Sequence, residues 1–247
     1  MTLLHHVLLY SSLDNSNEFQ LMDIIEQIIM AEYEIEWDKT DCETIDSKYI
    51  DFSTGSDPNR RKQLVKDCHK FQTFDLECHN KINHEQYIIF NIDTNYHQSN
   101  NRFSPFRWYH FSIPSLAWVP NTDEERKIKC EIFNSVFSLV QKISEIIKPF
   151  YGYCYLGEYN EEYENKYILT GKAKRIFDLT FWGPNYINKT NPTYLIELQK
   201  VGFNILQKEY GIWIYFSPDY WYTPEFWNAI QKADDILHIE KQELDVQ

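Results

Sequence analysis

Residues 176–216, IFDLTFWGPNYINKTNPTYLIELQKVGFNILQKEYGIWIYF, constrain the fold most, because several distinct local signals follow one another there without a gap. Phe177, Leu179 and Phe181 alternate with Asp178 and Thr180, and a period of two predicts a half-buried strand ending at Trp182. Gly183-Pro184 breaks that strand. Asn191-Pro192 then offers a capping side chain followed by a ring whose fixed φ suits a first helical turn. Leu195, Leu198 and Val201 give the helix an apolar face until Gly202 stops it. Two apolar runs follow, 203–206 and 212–216, and Glu209-Tyr210-Gly211 between them reads as the turn of a hairpin. Strand, helix and hairpin are thus predicted in succession, with no catalytic motif among them.

The preceding residues supply the remaining layers. An apolar run at 3–10 has strand length. Asn15 and Glu18 have capping-box spacing ahead of a helix carrying Leu21, Met22, Ile25, Ile28 and Ile29 on one side. Residues 32–37 alternate as a short strand does. Residues 38–57 are polar and weakly patterned, and Asp57-Pro58 predicts a second helix with Leu64, Val65, Cys68, Phe71 and Phe74 inward. Strands are predicted at 86–92 and 107–113, joined by a polar loop, 94–105, longer than hairpin loops usually are.

The clearest helix starts at Thr122, where Glu125 completes a capping box and Asp123 and Glu124 suit the N-terminal dipole. Its apolar stripe runs through Ile128, Ile132, Val136, Leu139, Ile143 and Ile146 and is widened by Phe133, Phe137, Val140 and Ile147. Pro149 ends it, and a Tyr-rich strand follows at 150–156. Thr223-Pro224 caps a last helix with Phe226, Trp227, Ile230 and Ile236 inward. This order of elements predicts an α+β fold, a mostly antiparallel sheet packed with about five helices. With no low-complexity linker, a single domain spanning 1–247 is expected, the alternative being two closely packed halves meeting near residue 120.

Composition narrows the functional classes. Of 247 residues, 43% are hydrophobic, and 18 Tyr, 16 Phe and 7 Trp stand against only 7 Gly. Rings in that number fill a core, and any surplus on the surface favours binding. The formal charge of -13 repels phosphate backbones, so direct nucleic-acid binding is not expected and a basic partner is. An acidic coat of the ordinary solubilising kind is the competing reading. Five cysteines without a disulfide framework point to a reducing compartment. The first residues lack the features of a signal peptide and no apolar run is long enough to span a bilayer, so a cytoplasmic location is expected.

Chemistry is harder to place. Cys68-His69 and Cys78-His79, with His84 nearby, suggest a metal site, but adjacent residues on a regular element point apart, whereas zinc pairs are usually two to four residues apart. No nucleophile elbow, phosphate loop or dinucleotide fingerprint occurs. We therefore expect no catalytic residue, cofactor or metal. Two segments have the composition of a recognition surface. One is the acidic-aromatic loop Glu158, Tyr159, Glu161, Glu162 and Tyr163, and the other the turn Asp219, Tyr220, Trp221 and Tyr222. For Trp221 and Tyr222 the competing reading is that they fold back onto the core.

The run Phe181-Trp182-Gly183-Pro184-Asn185-Tyr186-Ile187, the helix after it and the hairpin with Gly211-Ile212-Trp213-Ile214 resemble a segment of immunity proteins from bacterial polymorphic toxin systems. Pro149-Phe150-Tyr151-Gly152 is similar to that group's approach to the segment, and the likeness spans about the last hundred residues. The resemblance implies a non-enzymatic protein that binds a cognate toxin in the cytoplasm, and the charge suggests a basic one such as a nuclease. The alternatives are a hydrolase or transferase using His97 in the 94–105 loop, and an adaptor that self-associates through aromatic surface.

Overall fold

The computed structural model describes residues 5–12, 19–36, 41–44, 49–51, 71–81, 87–93, 106–113, 119–156, 176–188 and 190–237. Among the described residues eleven strands form one sheet: β1 His5–Ser12, β2 Tyr33–Ile35, β3 Asp41–Thr44, β4 Tyr49–Asp51, β5 Phe71–Asn80 and β6 Tyr87–Asp93 come first. They are followed by β7 Phe106–Ile113, β8 Tyr151–Leu156, β9 Leu179–Trp182, β10 Asn204–Lys208 and β11 Gly211–Tyr215. The spatial order is β10-β11-β9-β8-β1-β7-β6-β5-β3-β4, with β2 also on β5. Every pairing among the described strands is antiparallel. The described helices are α1 Phe19–Met30, α2 Asp123–Ile147, α3 Pro184–Ile187, α4 Pro192–Lys200 and α5 Pro224–Ile236, with a 3-10 turn at Pro218–Tyr220. This is the α+β architecture expected from the order of elements.

Strand β1 lies inside the sheet, between β7 and β8. Its register sets His5 opposite Ile113 and Leu156, and Val7 opposite Phe111 and Cys154. Directly opposed residues share a face, so His5, Val7, Phe111, Ile113 and Cys154 lie together. Helix α2 covers that face: Val7, Ile113 and Cys154 border the same small cavity as its Phe133, Val136, Phe137 and Val140.

Helix α2 begins as its sequence requires. The Thr122 hydroxyl accepts from the Glu125 backbone at 3.2 Å, and the Glu125 carboxylate accepts from the Thr122 backbone at 3.1 Å. It ends at Lys148, which is left-handed at φ 45° and donates its backbone N–H to Ser144. Ile132, Phe133, Val136, Phe137, Leu139, Val140, Ile143 and Ile147 are buried along it. Each such side chain stabilises by about 1.5–3 kcal/mol relative to exposure. Ile128, expected in the stripe, is 43% exposed because the seam runs one position further round, through Lys129.

The 176–216 module forms largely as its sequence predicts. The Asn191 side chain accepts from Thr193 at 3.1 Å at the start of α4, and β10 and β11 pair through a tight turn that sets Lys208 opposite Gly211. Strand β9 is the exception: it is buried on both faces rather than half-buried, since it lies between β8 and β11 and Thr180 is as inaccessible as Phe181. The Gly183 amide donates to Phe150 at 3.0 Å, and a Cβ there would approach Phe150 to 2.8 Å, which confines the position to glycine.

Two further expectations change. Phe71 and Phe74 lie in strand β5, not on a helix, while the rest of that expected helix and its Cys68 and His69 fall outside the described residues. The polar stretch 38–57 contributes the short strands β3 and β4, which are held by β5 rather than by an apolar pattern of their own. On β5 and β6, Leu76, Cys78, Ile88 and Phe90 are buried and alternate with less buried neighbours, so this half of the sheet covers one face more fully than the other.

Candidate functional site

Polar side chains converge where β1, β8 and the approach to β9 meet α2 and the turn after Pro218–Tyr220. His5 comes from the first residue of β1, Cys154 from β8, Asp178 from the residue before β9, Lys129 from α2, and Trp221 and Tyr222 from the turn. The Tyr222 hydroxyl donates to an Asp178 carboxylate oxygen. His5 Nε2 lies 2.5 Å from that hydroxyl and 3.5 Å from the same Asp178 oxygen. Because the tyrosine proton goes to Asp178, Nε2 is the donor to the tyrosine oxygen, and Nδ1 carries the lone pair. Nδ1 has no hydrogen-bond partner among the described residues.

The Lys129 ammonium lies 5.5 Å from the centre of the Trp221 ring and 5.4 Å from that of Tyr222, within cation–π range of both. Trp221 donates its indole N–H to the Phe216 carbonyl at 2.9 Å. His5, Lys129 and Trp221 are each 0% exposed, and Cys154 is 1% exposed. Removal from water dominates the titration of the group. It pushes His5 down against the upward pull of Asp178, and lowers Lys129 to about 8, again opposed by Asp178. It also raises the Cys154 thiol and the Tyr222 phenol well above their ordinary values. The charge of Asp178 is therefore matched by Lys129, while His5 and Cys154 stay neutral.

These residue types could exchange protons or bind a cation, but no solvent reaches His5 or Lys129. The adjoining cavity has a volume of about 10 Å³ and is walled mainly by apolar side chains, room for about one water at most. The cluster thus holds elements together from within: Tyr222 ties the turn to β1 through His5 and to the start of β9 through Asp178, while Lys129 of α2 lies over the Trp221 and Tyr222 rings.

This arrangement sorts the residues expected to meet a partner. Trp221 is wholly buried and its indole is spent on Phe216, so it anchors the turn and offers no surface. Tyr222 is partly buried, with its hydroxyl turned inward. Tyr220, the last residue of the 3-10 turn, is 42% exposed beneath the Arg126 guanidinium, which lies 5.5 Å from the ring centre. Asp219 accepts from the Ser217 hydroxyl at 2.5 Å. Glu158, Tyr159, Glu161, Glu162 and Tyr163 lie outside the described residues, as do the 94–105 loop and His97.

Trp227, expected inward, is 49% exposed on α5 because Phe226 takes the inner position against Phe216. Its ring stands 6.0 Å from that of Tyr222. Tyr220 and Trp227 therefore emerge on either side of a turn pinned by Trp221 and Tyr222, with Glu225 exposed between them in sequence.

Sequence reasoning passed over His5, Lys129 and Asp178. Lys129 carried a readable signal, since it sits three and four residues before Ile132 and Phe133, on the apolar stripe. His5 likewise occupies the same alternate positions as Val7 and Leu9, which are buried.

The fold and this cluster define an α+β protein built on one wide antiparallel sheet, with a sealed ionic and aromatic cluster fixing a surface turn. No protein-family model matches the chain, and no curated protein matches it. Among solved structures it is similar to the Pseudomonas aeruginosa T6SS protein PA0821, at 10% identity and a TM-score of 0.49, over 94% of this chain and 73% of that one. No described helix is long and apolar enough to cross a membrane.

Proposed function

We propose that this protein acts by binding, as a cytoplasmic immunity or inhibitor protein that neutralises a cognate bacterial toxin without chemistry of its own. One observation carries the reading: a turn fixed from beneath presents Tyr220 and Trp227 to solvent beside the carboxylates Asp219 and Glu225. Aromatic rings held rigid before binding lose little entropy on contact, which is the character of an interface anchor. The net charge of -13 favours a basic partner, such as a nuclease whose phosphate-binding surface carboxylates could cover. The buried cluster does not favour an enzyme, because its histidine and lysine meet no solvent.

The charge component is tested by association kinetics with the product of the neighbouring gene. Reversing Glu158, Glu161 and Glu162 to lysine is expected to slow association and flatten its salt dependence, with dissociation little changed. Unchanged association kinetics would remove that loop from the interface.

A further inference from the structure

We propose that His5, Cys154 and Asp178 form a structural Zn²⁺ site that clasps β1, β8 and the start of β9 beneath α2. One ligand atom from each residue lies within 4.8 Å of the other two, and all three residues are buried. A tetrahedral ion held by these three donors would take a water as its fourth ligand, and zinc bonds of about 2.0–2.3 Å would draw the three donors together by about 1 Å. Imidazole, thiolate and carboxylate are the donors zinc takes in proteins.

The sheet register creates part of the grouping. Val7 lies opposite Cys154, which places His5 diagonally across from Cys154 on the same face. Asp178 joins them from the bend just before β9, since Leu179 and not Asp178 is the residue in register with Cys154. No short sequence motif is involved: the ligands are 149 and 24 residues apart (154 minus 5, and 178 minus 154), so the site is invisible to spacing rules.

Two surroundings fit a ligand set. The Tyr222 hydroxyl orients the Asp178 carboxylate and accepts from His5 Nε2, as the outer partners of zinc ligands do. His5 Nδ1 holds a buried lone pair with no hydrogen-bond partner among the described residues.

Binding requires the Cys154 thiol to release its proton, because the thiolate is the ligand.

The test is to refold the reduced full-length chain with Co²⁺ and read the thiolate-to-metal absorption. Saturation at one equivalent per chain is expected, abolished in Cys154→Ser and retained in Cys78→Ser. A wild-type chain without the band, or a band that survives Cys154→Ser, would overturn the site. Thermal unfolding of the wild type with Zn²⁺ against a chelator gives a second readout that needs no variant: a higher midpoint with Zn²⁺ is expected, and equal midpoints would overturn it. Neither readout depends on the binding role proposed above.

Discussion

The hydroxyl of Tyr222 donates to the carboxylate of Asp178 across 44 residues of sequence, and Tyr222 does so from a left-handed backbone at φ 69°. A tyrosine adopts that region at a cost of about 1–3 kcal/mol, so surrounding contacts must hold it there. Tyr222→Phe keeps the ring and removes the hydrogen bond, leaving Asp178 less satisfied in a buried site. We predict a loss of about 1.5–3 kcal/mol in denaturant unfolding, the range for hydrogen bonds to a charged group. A loss below about 0.5 kcal/mol would show that the bond contributes little.

Lys129 and Asp178 are opposite charges in one buried cluster, close enough for Asp178 to pull the Lys129 titration upward against burial, and removing the lysine takes that compensation from the carboxylate. Lys129→Met is predicted to destabilise by about 3–5 kcal/mol, while adding Asp178→Asn to it recovers most of the loss. Urea unfolding of the two single variants and the double variant measures the coupling. Additive effects would mean that the two charges do not interact.

On the sheet, His6 and His110 stand 2.7 Å apart across β1 and β7, with Ser112 3.3 Å from each and Tyr155 stacked on His6. Burial first, then the neighbouring His6, pushes His110 down to about 3. The unfolded chain takes up this proton near the ordinary histidine value of about 6.5, so its stabilising effect is full above that pH and is lost as pH falls towards 3. Wild-type stability is predicted to fall on the order of 2 kcal/mol through this window, discounted for a half-buried ring. The corresponding slope should be shallower in His110→Asn. Parallel stability curves against pH for the two proteins would contradict this.

Gly211 closes the β10–β11 turn at φ 155°, and a Cβ there would approach the Trp182 carbonyl oxygen to 2.6 Å. Gly211→Ala is therefore predicted to destabilise by more than about 1 kcal/mol, against the roughly 0.4–1 kcal/mol gain of a compatible glycine replacement. The thermal unfolding midpoint reports the sign directly.

These sites show what the sequence could and could not convey. Caps and turns are local, so Thr122 with Glu125, Asn191 with Pro192, and the Glu209-Tyr210 turn were legible. Strands β3 and β4 were not, because pairing with β5 rather than their own pattern makes them strands. Trp221 and Trp227 were misjudged in opposite directions: nothing within a turn tells which ring the packing of α2 and Phe226 will cover. The Lys129–Asp178–Tyr222–His5 cluster joins four separate elements, and only the packing of α2 and the turn against the sheet brings it together. Apolar stripes interrupted by one charge or one imidazole, at Lys129 and His5, were the only trace it left.

On the function proposed above, the fixed turn presents a binding surface. It is tested by calorimetric titration of the full chain with the product of the neighbouring gene, using Tyr220→Ala and Trp227→Ala as the comparison. Both variants should unfold within about 0.5–1 kcal/mol of wild type, because both rings are substantially exposed. The account predicts saturable one-to-one binding weakened at least about tenfold by each substitution, a loss of about 1.4 kcal/mol or more. No binding at micromolar concentration, or affinity unchanged in both variants, would contradict it.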